Sequence, residues 1–469
     1  MKGRAIIYWI VGISLAWLAL GATFLYGFAP LDFYGDGAYF AQATIRWSEH
    51  GWPTTFLAGP QGGEFGWGFF TLWIYISILK LTFHLFGQSP GTMRFISLLS
   101  VGIALATAGL VMTKLRRNKG IFVGLFFFLM AISPMPLVIG HTERPEGLMT
   151  LWITASVVLI LLPKSLFLRN LGFFILPIAF WIHQLGGLMA FCLFLVMTTV
   201  FLFRRKNSQQ LLWLILGGAI VLAVSFLTAW YSGKLLIFSY VSGLSEKGWG
   251  FVKILSSWHL LLTVSTAALV FILWPLRKVK LDMEKDFIAL ITVGLVLIPM
   301  ILGMRPRRTF QFVYPLVWIL LYIGFLYAAQ LGRVFKYGFL ALVIAGMCFY
   351  WWRSRDIISI TLKNPEYIRK TEEFVARNQA SIAGADTVFM AFHGEGYLFW
   401  LLPKEKQLTA SPYFRGPVRE GNLVLITDYE LRGIPYLVPL DSLDLGFTYS
   451  FYGARPFRRI YLCRGIGGN

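Results

Sequence analysis

A bundle of about eleven membrane-spanning helices, with in-plane helices on its outer face and a small C-terminal α/β domain, is the fold class that the sequence predicts. Three observations predict it. Of the 469 residues, 57% are hydrophobic and 14% charged, against about 45–50% and about 25% in an ordinary soluble domain. Apolar runs of about 20 residues recur along the chain, the length that crosses a bilayer. Short clusters of Lys and Arg stand between those runs, as in a positive-inside membrane protein. The same composition excludes a purely soluble enzyme, a disordered chain and a disulfide-stapled secreted module. The formal charge of +20 follows from the clusters between spans, so nucleic acid is not expected as a partner.

The elements follow in order. Basic residues 1–4 precede an apolar run over 5–29, too long for the apolar core of a signal peptide, so the first span is expected near 5–28 and uncleaved. A first outer loop, 29–90, comes next. Within it the stretch 66–87 is not expected to cross: a crossing would turn the basic cluster 114–119 outwards, and Ser77, Lys80 and His84 form one polar stripe at helical spacing. An interfacial helix suits that pattern. Residues 37–49 repeat it, with Gln42, Arg46 and Glu49 on one face.

Further spans are expected near 91–113, 120–138, 146–162, 170–185, 186–203, 209–230, 257–275, 287–304, 310–330 and 337–352. The intervening basic clusters then share one side with the N-terminus, which places that terminus in the cytoplasm and the C-terminus outside. After Trp352 the composition changes: residues 353–469 carry 15 Lys and Arg against 12 Asp and Glu. That division gives a membrane domain, 1–352, and a soluble outer domain, 353–469. In the latter, 364–380 reads as an amphipathic helix and 386–392, 422–427 and 459–464 as strands. Cys192, Cys348 and Cys463 stand at no metal or redox spacing.

Chemistry is sought where charge is scarce. The membrane domain holds 10 acidic residues, and six of them fall on two loops of one face: Asp32, Asp36, Glu49 and Glu64 on the first, Glu143 and Glu146 on the second. Converging carboxylates suit a general base and a site for a hard divalent cation. Asp36, between Gly35 and Gly37, reads either as a helix N-cap or as a base held at a helix start. Glu64 reads as a loop acid favouring a helix start or as a ligand. Glu143 and Glu146 flank Arg144-Pro145, which is good local chemistry for a helix start with no function implied. Arg305, Arg307 and Arg308 lie on the outer side, where basic clusters are disfavoured. They read as a site for the phosphate of an anionic lipid, to which guanidinium forks are matched. His183 and Gln184 read as polar groups that pack helices.

In order and spacing these residues resemble the GT-C superfamily of membrane glycosyltransferases that use polyprenyl-phosphate sugars. Within it, the pattern is similar to the protein O-mannosyltransferase and lipid A aminoarabinose transferase family (glycosyltransferase family 39-like). The matching residues are Asp36 in Tyr34-Gly-Asp-Gly-Ala-Tyr39, Glu64 before the next helix, Phe86-Gly87, Arg94 at the head of a span, and Arg144-Pro145-Glu146. Two features depart: Phe65-Gly66-Trp67 stands in place of Pro-Pro-Leu, and Glu146 in place of Asp. The likeness covers residues 1–205.

The resemblance implies a bacterial inner-membrane enzyme that moves a sugar from a polyprenyl-phosphate donor to a hydroxyl of a lipid, glycan or protein acceptor at the outer, periplasmic face. Asp36 is the implied base. Glu64, Glu143 and Glu146 are the candidates for a divalent metal ion (Mg, Mn or Zn), and Arg144, Arg305, Arg307 and Arg308 for the lipid phosphate. Tyr39 and His141 are the substrate-binding candidates. A transporter or flippase of a lipid-linked glycan shares the spans but calls for ionisable pairs at mid-membrane and repeats. A non-catalytic envelope-assembly protein is the third class, and tolerates loss of Asp36.

Overall fold

The computed structural model of the chain describes residues 9–18, 21, 36–51, 53, 72–115, 120–161, 165–204, 208–231, 292, 294–295, 306–390, 396–402, 407–409, 421–431, 437–449 and 457–465. It is mostly helical. The first helices are α1 (Trp9–Leu18), α2 (Asp36–His50), α3 (Trp73–Phe86) and α4 (Pro90–Leu115). Next come α5 (Ile121–Ala131), α6 (Pro134–Gly140), α7 (Glu146–Leu161) and α8 (Leu166–Ile175), the last prolonged by a 3₁₀ stretch, Leu176–Trp181. α9 (Gln184–Arg204), α10 (Ser208–Tyr231), α11 (Pro306–Leu331) and α12 (Arg333–Arg353) complete the apolar part. The expected spans 257–275 and 287–304 lie outside the described residues, apart from three positions.

Local chemistry explains the joints. Gly87 turns the chain at φ +82°, and Ser89 then caps α4, its hydroxyl accepting the Thr92 N–H at 3.1 Å with Pro90 in the first turn. Pro134 breaks the expected span 120–138 into α5 and α6, bent by 52°. Tyr314 of α11 stabilises the break: its hydroxyl donates to the Met130 carbonyl and meets the Ser133 hydroxyl at 2.7 Å. The expected span 170–185 is corrected to a helix that starts at Leu166 and tightens into the 3₁₀ stretch at Pro177.

Among the described residues four helices are long and apolar enough to cross a membrane (90–115, 209–227, 310–331 and 333–353), or five with the bent α5–α6 pair. α11 is the central one, with 94% of its apolar window buried, whereas only 22% is buried in α10 and in α12. The exposed Leu222, Leu227, Val334 and Leu342 of those two outer helices form the kind of apolar surface that lipid covers. Close packing at the core has a clear marker: a Cβ on Gly147 of α7 would stand 2.9 Å from backbone atoms of Ser97 of α4.

α3 has 14 residues, short of a span of about 20. It pairs with α2 through Phe40–Tyr75 and Trp47–Trp73, ring centroids 5.5 and 5.1 Å apart. Ser77 and His84 are exposed as the stripe requires, but Lys80 lies over the Trp47 ring at 4.6 Å, and Gln42 of α2 is buried rather than on a wet face. Cysteines introduced at Gln88 and Gly62 are therefore expected to react with an impermeant thiol reagent from the same side of sealed vesicles. Labelling of Gln88 from the opposite side to Gly62 would make 66–87 a crossing.

Only Ser354 separates α12 from α13 (Arg355–Arg377), which starts well before the expected Asn364 and carries Pro365 inside it. α14 (Gln379–Gly384) follows, then β1 (Val388–Met390), α15 (Gly396–Leu401), β2 (Gln407–Thr409), β3 (Leu423–Thr427), α16 (Asp428–Leu431), β4 (Leu437–Tyr449) and β5 (Phe457–Gly465). Among the described residues the strands form one sheet in the order β2-β1-β3-β5-β4, parallel at β2-β1-β3 and antiparallel thereafter. β2 and β4 were not expected from sequence. Pro439, Asp441, Asp444 and Gly446 interrupt the alternation of β4, and its register slips at those places. α13 packs on β4, where Lys370 donates to the Leu445 carbonyl at 2.7 Å and Asn378 to Asp441 at 2.7 Å. Burial pushes the Cys463 thiol up to about 12, so it is an inert core residue.

Candidate functional site

The site is built around the turn between α6 and α7, residues 141–146. Arg94 reaches it from the head of α4, its Nη2 2.5 Å from Glu143 Oε1, and both side chains are almost wholly buried. The turn's backbone is held as well. Tyr75 of α3 donates to the Glu143 carbonyl at 3.0 Å, and Ser97 of α4 to the Arg144 carbonyl at 3.0 Å. Arg144 in turn sets its Nε 2.9 Å from Glu146 Oε1, again buried. Glu146 stands in the first turn of α7, where the helix dipole favours an acid. Two buried opposite-charge pairs thus sit side by side.

His141 closes α6. Its Nδ1–H donates to the Leu137 carbonyl at 2.5 Å. Burial, and after it the charge of Arg94, hold this imidazole below its ordinary pKa, partly offset by hydrogen bonds to backbone. At neutral pH it is therefore uncharged.

Two more elements are linked to the turn. α2 begins at Asp36, and one turn later Phe40 packs on Tyr75, the residue that holds Glu143. Gly37 is buried and Tyr39 half-buried at that end. From the other side comes α11, whose first turn includes Arg307 and Arg308. These two arginines, expected in a loop, belong to a helix. Pro315 inside α11 has no N–H for the carbonyl of Gln311, four residues back. Thr150 of α7 fills the vacancy: its hydroxyl is shared between the Glu146 carbonyl at 2.8 Å and the Gln311 carbonyl at 2.9 Å. The proline thereby joins the start of α11 to the start of α7. Thr150→Val keeps the shape and removes the donor. We expect it to cost about 1–3 kcal/mol for the buried carbonyl left unmet, measured by thermal unfolding in detergent; an unchanged midpoint would show that the bond contributes nothing.

The sequence-derived site residues are therefore partly brought together. His141, Glu143, Arg144 and Glu146 share one turn; Asp36 opens α2, whose Phe40 packs on Tyr75 of α3, and Arg307 and Arg308 open α11, which is bonded to α7 at Gln311. Glu64 and Arg305 lie outside the described residues. Glu143 and Glu146, expected beside one metal ion, instead each face an arginine, and among the described residues no three His, Cys, Asp or Glu gather. Arg94 has no site role in the sequence pattern beyond standing at the head of a span; a charge in that place is its signal. Tyr75 and Thr150 carried no such signal, because their partners are distant in sequence.

No family model and no curated protein matches the chain. Among solved structures it is similar to ArnT from Cupriavidus metallidurans in the apo state, with TM-score 0.57, 10% identity, and 97% of this chain and 98% of that one covered. It is equally similar to ArnT from Cupriavidus metallidurans bound to undecaprenyl phosphate, with TM-score 0.57, 11% identity and 97% of each chain covered. The likeness runs through both the apolar part and the sheet. The chain has the ArnT fold, in agreement with the GT-C resemblance carried by its loops.

Proposed function

We propose that this protein is an integral-membrane inverting glycosyltransferase that moves a sugar from a polyprenyl-phosphate donor to an acceptor hydroxyl on a lipid, glycan or protein. One observation carries the reading. In a fold shared with a protein solved with undecaprenyl phosphate bound, the turn 141–146 is tied to the helix that Asp36 opens through Tyr75 of α3, and to the helix that carries Arg307 and Arg308 through Thr150.

The step needs few groups. Asp36 takes the proton from the acceptor hydroxyl as its oxygen attacks the anomeric carbon, opposite the phosphate. The bond from that carbon to the phosphate oxygen breaks with its electron pair, so the polyprenyl phosphate leaves and the configuration inverts. The leaving group is a phosphate already and requires no general acid. Its charge is met by Arg305, Arg307 and Arg308, and by the unpaired N–H groups of the first turn of α11. Arg144, held by Glu146, adds positive field beside them. We place the reaction at the outer face of a bacterial inner membrane, with the N-terminus cytoplasmic and the sheet domain periplasmic.

The test is donor binding. Alanine at Arg305, Arg307 and Arg308 together should weaken undecaprenyl phosphate binding at least about tenfold, the scale of one lost charge-assisted hydrogen bond. Native mass spectrometry of the detergent-solubilised protein reads this directly. Unchanged affinity would move the phosphate site elsewhere.

A further inference from the structure

The sheet has two unlike faces. On one, Leu443, Leu445, Ile460 and Leu462 join the main core together with Phe374 of α13. On the other, Val424, Ile426, Leu437 and Cys463 form a small core of their own, against which Leu431 of α16 and Tyr461 of β5 are only half-buried. Beside that small core lies a cleft of about 590 Å³, lined by Asp428 and Leu431 of α16 and by Arg458, Arg459 and Tyr461 of β5. The transfer step uses none of these residues.

The polar groups of the cleft are held by a bend in β4. Asp444 stands directly across from Arg459. Its carboxylate accepts from Arg458 Nε at 3.0 Å, from Arg459 Nε at 3.1 Å and from the Gly446 N–H at 2.8 Å. Gly446, at φ +77°, supplies the bend. The Gly446 N–H, and after it the guanidinium of Arg458, hold the Asp444 carboxyl well below the usual carboxylate range, so it stays charged. Among the described residues these bonds engage Nε of Arg458 and both Nε and Nη2 of Arg459. The other guanidinium N–H groups are donors on heads that Asp444 holds in place. Asp428 supplies an acceptor: its Oδ1 takes the Arg458 backbone N–H at 3.3 Å, and its Oδ2 can take another donor.

We propose that this cleft is a saccharide-binding subsite, which takes neutral sugar units of a glycan-bearing acceptor. The inference rests on the glycosyl-transfer reading above and narrows its acceptor. Charge argues for a neutral ligand. Arg458 and Arg459 are balanced by Asp428 and Asp444, so an anion would meet two carboxylates as well as two guanidiniums. Chemistry argues for a sugar. Hydroxyls donate and accept at once, and the cleft sets guanidinium donors beside a carboxylate acceptor. Tyr461 and Leu431 add an apolar wall for the C–H face of a sugar ring. The volume lies within the range of about 300–1,000 Å³ usual for small-molecule sites. Position suits an acceptor, because α15 of the same domain packs against α2, the helix that Asp36 opens. An acceptor held in the cleft is tethered to the transfer site, which raises its effective concentration there.

Saturation-transfer NMR of the full chain in nanodiscs tests this. The probes are methyl glycosides of glucose, galactose, mannose, rhamnose and N-acetylglucosamine, with methyl glucuronide and glucose 1-phosphate as anionic counterparts. At least one neutral glycoside should bind the parent, and the two anions should bind it more weakly. Arg458→Ala with Arg459→Ala should weaken that glycoside at least about tenfold, the scale of one lost charge-assisted hydrogen bond. Both side chains are about half exposed, so their pairs with Asp444 add little to stability and the double variant should melt with the parent. A parent that binds none of the neutral glycosides, or equal binding by parent and double variant, would overturn the proposal. So would a parent that prefers the anions.

Asp428→Asn carries the test if the double variant does not fold. It keeps the size of the side chain and removes one negative charge, so preference should move from the neutral glycoside toward the anions; an unchanged preference would equally overturn the proposal. Asp36→Asn, run in parallel, separates the two readings, because it should bind the glycoside as the parent does. Loss of transfer in that variant, with no glycoside bound by the parent, defeats this inference alone. Normal transfer in Asp36→Asn, with glycoside binding that depends on Arg458 and Arg459, defeats the mechanism above alone.

Discussion

Asp36→Asn should reduce glycosyl transfer by at least about two orders of magnitude, the usual scale for losing a general base. The variant keeps the size of the side chain and its ability to accept hydrogen bonds at a helix start, so expression and unfolding temperature should hold. The position argues for the size of the effect. Asp36 is the first residue of α2, and the next turn of that helix bears on the Tyr75–Glu143 contact. Initial rates over a range of acceptor concentrations separate loss of kcat from loss of acceptor binding. Near-normal turnover would end the role of Asp36 as base and revive the assembly-protein class, which tolerates its loss.

Arg94→Ala should be the most damaging substitution for stability. It strands Glu143, about 1% exposed, as an uncompensated buried carboxylate, and breaking such a pair costs about 3–5 kcal/mol. A detergent-solubilised variant should melt far below the parent or fail to remain monodisperse. Replacing both partners, as in Arg94→Met with Glu143→Leu, should restore much of the stability, because no buried charge is then left alone. Transfer should not return with it, since the apolar pair no longer anchors the turn 141–146. A single variant that melts with the parent would mean that water reaches Glu143.

The two expectations bear on different links of the argument. The first is about a proton and depends on where α2 begins. The second is about desolvation and depends on how deeply α4 carries a charge into the bundle. Neither effect is visible in hydropathy, although hydropathy located both loops.

The correspondence between sequence and structure is uneven for physical reasons. Boundaries of α4, α7, α9 and α10 follow closely from apolar length, because a helix in lipid must satisfy its own backbone and so runs unbroken. Joints marked by Pro were misread where the proline bends or tightens a helix without ending the span, at Pro134 and Pro177. β4 was missed because its alternation is interrupted, and its stability comes from pairing with β5 rather than from its own pattern. Glu143 and Glu146 stand out in the sequence as scarce acids on one loop. Their separate arginines became evident only when α4 and α7 were seen packed together at Gly147.

By itself the sequence determined the membrane class, most of the apolar helices, the change of composition after Trp352, and the loops that carry the scarce acids. These are local and additive properties: solvent preference is summed residue by residue over a window. The tertiary structure alone decided which charges neutralise one another, that the Pro315 gap is met by Thr150, and that a helix of the sheet domain packs against α2. Those outcomes depend on pairwise distances between elements remote in sequence. Electrostatic and hydrogen-bond energies fall steeply with distance and angle, so they are fixed only once the elements are packed.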